Sequence, residues 1–186
     1  MPQKRRLAHW LILPTVILLT ILGGCIQSKD PVFGPDSRVL PFPSPAKFEA
    51  YERTRPTDPW TPRGRTTLIA DQSLVVREVD DAGKSRSTST YTFHRLGPQR
   101  FIAQASFGAY YGYGLLEIRE GEAILFMLNC ERVDQQAFGA AGGTVDSGQL
   151  PPGQRCSLDN VSDPVKLLSS IAAHPVGVEQ KYVPVR

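Results

Sequence analysis

Few residues in this 186-residue chain have the types and spacings that do chemistry. Two histidines follow residue 24, His94 and His174, and neither has further ligands at metal-binding spacing. His94 falls on the polar side of an alternating stretch. His174 closes a helical pattern, where an imidazole can meet the last carbonyls and the negative end of the helix dipole. No Gly-x-Ser-x-Gly turn exposes a serine nucleophile. Gly112, Gly114, Gly142 and Gly143 lack the following Lys-Ser/Thr of a phosphate loop. The cysteines form no Cys-x-x-Cys redox pair. Asp80 and Asp81 read as turn formers, and Asn160-Val161-Ser162 fits a glycosylation sequon by coincidence. No catalytic residue, metal ligand or cofactor is expected on these grounds.

The most individual segment runs from Phe107 to Leu116, Phe-Gly-Ala-Tyr-Tyr-Gly-Tyr-Gly-Leu-Leu. On a strand, Tyr111, Tyr113 and Leu115 face one way, and Tyr110, Gly112 and Gly114 the other. Glycine inside a strand marks a bend or the close approach of a neighbour. Two outcomes follow. Either the aromatics fill a core at a barrel corner while rings cover the glycines, or Tyr110, Tyr111 and Tyr113 line a groove for a sugar, lipid or peptide.

The N-terminus has a different grammar. Lys4, Arg5 and Arg6 precede an apolar stretch from Leu7 to Leu22, then Gly23, Gly24 and Cys25. A basic start, a short apolar run and small residues form a secretory signal, expected to be cleaved after residue 24. Leu22-Gly23-Gly24-Cys25 resembles the lipobox of bacterial lipoproteins. The resemblance covers residues 1–25 and implies a diacylglycerol on the Cys25 thiol. It also implies an exported, membrane-anchored protein. Ile26 stands where an aspartate would signal retention in the inner membrane, which favours the periplasmic face of an outer membrane. The competing reading is an uncleaved anchor. That needs about 20 apolar residues, whereas the run from Trp10 to Gly24 has 15 and includes Pro14. Several acyl chains hold a protein stably where one would not.

With Cys25 acylated, Cys130 and Cys156 remain in an oxidising compartment, and a disulfide between them is expected. It would close a loop containing the Gly/Ala run from Phe138 to Gly143, expected to be flexible.

The charge balance changes once the leader is set aside. Three of the 21 basic residues lie in it and none of the acids, leaving 18 of each sign. A neutral mature chain carries no electrostatic argument for nucleic acid. At 41% hydrophobic and three cysteines, the composition is that of an ordinary globular domain, neither a disulfide scaffold nor a low-complexity polymer.

The elements that would position these residues are mostly strands. Residues 31–62 carry eight of the 14 prolines beyond residue 24, so residues 25–62 are expected to be a lipidated, partly docked linker, irregular and spacing the domain from the lipid. From residue 63 to 186 a single β-rich domain is expected. Residues 74–79, 87–94, 101–107, 109–119 and 123–128 alternate or run apolar, separated by connections too short for parallel crossovers. Asp163-Pro164 opens a helix with Val165, Leu168 and Ala172 on one stripe, which should lie on the sheet, and a last short strand follows. The expected fold is mainly β, an antiparallel meander or small barrel of about six to eight strands with one C-terminal helix packed on it. The expected function is an anchored binding or interaction module for an envelope protein or ligand. A structural, assembly or inhibitor lipoprotein using a loop such as 132–155 is the second class, and a periplasmic enzyme the third.

Overall fold

The computed structural model describes residues 26–87, 89–146, 154–174 and 179–185. Residues 1–25, where the signal and the lipidated Cys25 are expected, lie outside the described residues, as do Pro175, Gly177 and Val178. The chain forms β1 (Ile26–Ser28), β2 (Arg38–Val39), β3 (Ala46–Arg53), β4 (Thr61–Ala70), β5 (Val76–Val79), β6 (Thr90–Gly97) and β7 (Arg100–Phe107). These are followed by β8 (Tyr110–Arg119), β9 (Glu122–Met127), α1 (Gln135–Ala140), β10 (Thr144–Asp146), β11 (Arg155–Ser157), α2 (Pro164–Ala172) and β12 (Glu179–Pro184).

Strands β3 to β9 run up and down as an antiparallel meander. β12 then enters between β9 and β3, antiparallel to both, and closes an eight-stranded barrel. Tyr182 of β12 sits opposite Ala50 on one side and Ala123 on the other. Closure removes the sheet edges a meander would leave open. Between β8 and β9, Glu120 and Gly121 both have positive φ (52° and 85°), the type I′ conformation whose twist suits a two-residue hairpin. β6 begins at Thr90, later than the alternation from Ser87 indicated. Residues 84–86 instead fold back on β5, where Arg86 N–H donates to the Glu78 carbonyl at 3.0 Å.

Two cores share the wall β7–β9. Inside the barrel lie Phe48, Ala50, Leu68, Val76, Phe93, Phe101, Ala103, Leu116, Ala123, Leu125 and Tyr182. Outside it, Ile102, Tyr113, Leu115 and Phe126 pack with Ile26, Phe138, Leu158, Leu168 and Ala172. Strands buried on both faces read as apolar runs, which is why Ala123 to Leu128 shows no alternation.

α2 starts where expected. The Asp163 side chain accepts from Lys166 N–H at 3.0 Å, with Pro164 in the first turn. Its far end is held by the barrel, because an Arg100 Nη2–H donates to the Ala172 carbonyl at 2.7 Å while Arg100 pairs with Glu117 at 3.0 Å. A helix of nine residues is too short to persist alone, so this docking and the burial of Leu168 and Ala172 supply its stability.

Two expectations need correction. Residues 26–62 are not laid out as an irregular spacer. β1 joins an outer sheet, β2 pairs with β6, and β3 is a full barrel strand. The prolines bracket β3 instead of entering it. Pro41, Pro43 and Pro45 precede it and Pro56 and Pro59 occupy the turn after it, while Pro62 enters the ladder beside an irregular step at Ala50/Tyr51. Nor is the run from Phe138 to Gly143 a loose loop. Asp134 caps α1 by accepting from Gln136 and Ala137 N–H groups, and the Phe138 ring is wholly buried. A short polar cap and one aromatic outweigh the local glycines.

Candidate functional site

Tyr113 has no solvent exposure. Its hydroxyl stands 2.5 Å from Ser28 Oγ and accepts from Val32 N–H at 3.2 Å. Burial pushes its phenol pKa up, so it stays protonated. Tyr111 is half-buried against the same outer core, and Tyr110 is exposed on the other side of β8. The three tyrosines therefore do not line a groove. The faces also differ from a bare surface at Gly112 and Gly114. A Cβ on Gly112 would lie 2.8 Å from the Phe107 ring, and one on Gly114 would lie 2.9 Å from the Phe126 carbonyl oxygen. The ring cover and close backbone approach of the barrel-corner reading are what the structure contains.

His94 is buried at 2% exposure on the outside of β6, under the segment from Phe33 to Arg38. Its Nε2 is 2.9 Å from Thr92 Oγ1 and its Nδ1 is 2.9 Å from Ser37 Oγ. The Ser37 hydroxyl donates to the Gly34 carbonyl at 3.0 Å. The consistent assignment puts the proton on Nδ1, donating to Ser37, with Nε2 accepting from Thr92. The Phe33 ring stacks on the imidazole with centroids 4.6 Å apart, and Gln104 brackets the Phe33 backbone through its N–H (3.0 Å) and carbonyl (3.3 Å). Desolvation lowers the His94 pKa to about 4, and the Arg38 charge acts in the same direction. At 2.9 Å the Ser37–His94 pair has the spacing of a nucleophile and its base. The proton positions oppose that role, since the hydroxyl proton is committed to Gly34 and the facing nitrogen already carries one. The group pins residues 33–38 to the barrel.

The middle of the barrel is nearly full, while an open pocket of about 460 Å³ lies at its mouth beside Phe42, Phe48 and Ala123. The space between Phe42, Phe93, Leu116, Leu125 and Tyr182 amounts to about 20 Å³. Phe42 plugs one mouth, edge-on to Phe48 and Phe93 with centroids 5.6 Å away in each case. The buried Glu78 carboxylate accepts from Thr66 Oγ1 at 2.9 Å. Burial, with Glu78 adding, pushes the Tyr91 and Tyr182 phenols up. No interior polar group is left aimed at the void among the described residues.

A larger cleft of about 270 Å³ opens between α1 and α2. Leu128 and Phe138 form its floor, Ala137, Leu167 and Ile171 its walls, and Asn129, Asp134, Ser170 and His174 its rim. Two rim groups are already occupied, since Asn129 Oδ1 accepts from Glu131 N–H and Asp134 caps α1. Nothing in the sequence signalled this cleft, because it is assembled from two stretches distant in the chain, 128–138 and 167–174. Among the described residues, no group of three or more His, Cys, Asp or Glu side chains could hold a metal ion.

Cys130 and Cys156 are joined by a disulfide with Cα atoms 5.3 Å apart, tying the end of β9 to β11. Beside it, the start of the described chain is fastened at every residue. Ile26 is fully buried, its N–H donates to the Leu128 carbonyl at 3.3 Å, and it lies opposite Cys156 in a parallel pair. The Gln27 carbonyl accepts from Leu158 N–H at 2.9 Å and Lys29 N–H donates to Asp159 at 2.7 Å. Cys25 is thus one peptide bond from the core. Among the described residues, no helix is long and apolar enough to cross a membrane. No protein-family model matches the chain, and neither a curated protein nor a solved structure matches it.

Proposed function

We propose that the protein is an exported lipoprotein, anchored through acylated Cys25, whose barrel acts from its outer surface as an interaction module for another envelope protein. The observation that carries this reading is the filled middle of the barrel. An eight-stranded barrel either fills with side chains or holds one small ligand, and about 20 Å³ is too little for a ligand beyond a water molecule. The buried, bonded Ile26 supports an anchor without a spacer, which would hold one side of the barrel at the membrane surface. Ile26 in the position after Cys25 supports placement at the periplasmic face of an outer membrane.

The outer wall supplies residue types that dominate protein contacts. The Arg53 guanidinium lies 4.3 Å above the Trp60 ring, and Lys181 Nζ lies 5.1 Å from Trp60 and 5.3 Å from Tyr51. Tryptophan, tyrosine and arginine are the side chains most often found to carry binding energy. A photo-crosslinking amino acid at position 51, in the full chain in cells, should give an adduct with one defined protein. The adduct should disappear in a Trp60→Ala background while the same probe at position 93, inside the barrel, gives none. A small molecule that copurifies stoichiometrically with the wild-type barrel, with no protein adduct from any outer position, would overturn the reading.

A further inference from the structure

The cleft between α1 and α2 has an apolar floor and apolar walls. The place where the anchored chain enters the fold is next to it. Ile26 N–H is bonded to the carbonyl of Leu128, and the Leu128 side chain is part of the cleft floor. Consecutive Cα atoms are about 3.8 Å apart, so the Cys25 Cα stands one residue step from a residue bonded to that floor. Ile26, Leu128, Phe138, Leu167 and Ile171 also belong to one apolar cluster, so the entry point and the cleft lie on the same side of the barrel.

We infer that the α1–α2 cleft takes one acyl chain of the lipid on Cys25. This rests on the lipidation proposed above. Apolar surface delivered within one residue of an apolar cleft leaves water at almost no cost of loop closure, since no spacer has to be ordered. The remaining acyl chains stay in the bilayer, where more than one is enough for stable attachment. Asn129, Ser170 and His174 at the rim then sit level with the polar headgroups, and α1 and α2 face the membrane.

The test uses cells expressing the full chain and fed a palmitate analogue carrying a diazirine and an alkyne. After irradiation, the lipid on Cys25 should be joined to peptides of the same chain containing Ala137 or Ile171. Ala137 is exposed and lies outside the core, so Ala137→Glu should leave the circular dichroism and Tm unchanged. Placing a charge in an apolar cleft should cut those intramolecular crosslinks about tenfold or more. A labelled Cys25 that crosslinks only to bulk phospholipid, or equally well in Ala137→Glu, overturns the cleft assignment and leaves lipidation standing. A chain that takes up no label, or that retains residues 1–24, overturns both.

Discussion

The Tyr113 hydroxyl and Ser28 Oγ lie 2.5 Å apart, joining residues 85 positions distant in the chain. Val32 N–H donates to Tyr113, Tyr113 donates to Ser28, and Ser28 donates to the Asp30 carbonyl at 2.5 Å. That single chain of donors fastens the first described residues to the barrel wall.

Tyr113→Phe removes the acceptor for Val32 and the donor to Ser28. The expected cost is about 1–3 kcal/mol, as for a buried group left unpaired. Ser28→Ala should cost a similar amount, and the double variant less than the sum, because the two losses share one partner. Urea midpoints at unchanged m-value check this. Additive losses would mean that the hydroxyls act independently.

Stability should fall on acidification through His94. Its folded pKa, about 4, is below the 6.5 of an unconstrained histidine. The unfolded chain therefore binds a proton first as the pH drops, and stability is lost between pH 6.5 and about 4. The loss approaches about 3 kcal/mol across that window. His94→Gln should flatten this part of the curve, so the stability difference between the two proteins shrinks or reverses on moving from pH 7 to 4. Parallel curves would show that His94 is not the titrating group.

The two glycines of β8 should respond unequally to alanine. At Gly114 the new methyl meets the Phe126 backbone at 2.9 Å, which cannot turn away, and a loss of about 1–3 kcal/mol is expected. At Gly112 it meets only the far end of the Phe107 ring at 2.8 Å, so a rotation relieves the clash and the loss should be smaller. Thermal melts of the two variants rank them.

Reducing the disulfide, or replacing both Cys130 and Cys156 by alanine, should lower stability by about 3–4 kcal/mol in the chain-entropy account of loop closure. Melting curves with and without dithiothreitol measure the loss. Mass spectrometry of the exported protein under non-reducing conditions should show neither thiol free to alkylate.

Phe42→Ala should unplug one barrel mouth. The half-buried ring touches Phe48 and Phe93, so the loss should be about 2–4 kcal/mol, somewhat below that of a fully buried phenylalanine. The enlarged cavity should bind an apolar fluorescent dye that the wild-type barrel excludes. No gain in dye binding would mean that neighbouring side chains collapse into the space.

Much of the barrel was legible because its information is local. The period-two stretches at 101–107 and 109–119, the turn at Glu120-Gly121 and the Asp163-Pro164 helix start each carry their own signal within a few residues. The Cys130–Cys156 pair followed from counting once Cys25 was set apart. The candidate site was far less legible. The face that β6 presents through Thr92 and His94 reads as polar, yet residues 33–38 cover it. Phe33 and Phe42 were the visible hints, since apolar rings in a proline-rich stretch must pack somewhere.

By itself the sequence determined strands β5 to β9, the Asp163-Pro164 start of α2 and the even charge balance beyond residue 24, because each is read directly from the residues present. Only the tertiary structure decided that β12 closes the barrel, that Tyr113 is core and not groove, and that Ile26 lies against Leu128 beside the α1–α2 cleft. Those facts depend on contacts across tens of residues. Such contacts are selected by which surfaces bury together, and no local pattern encodes that choice.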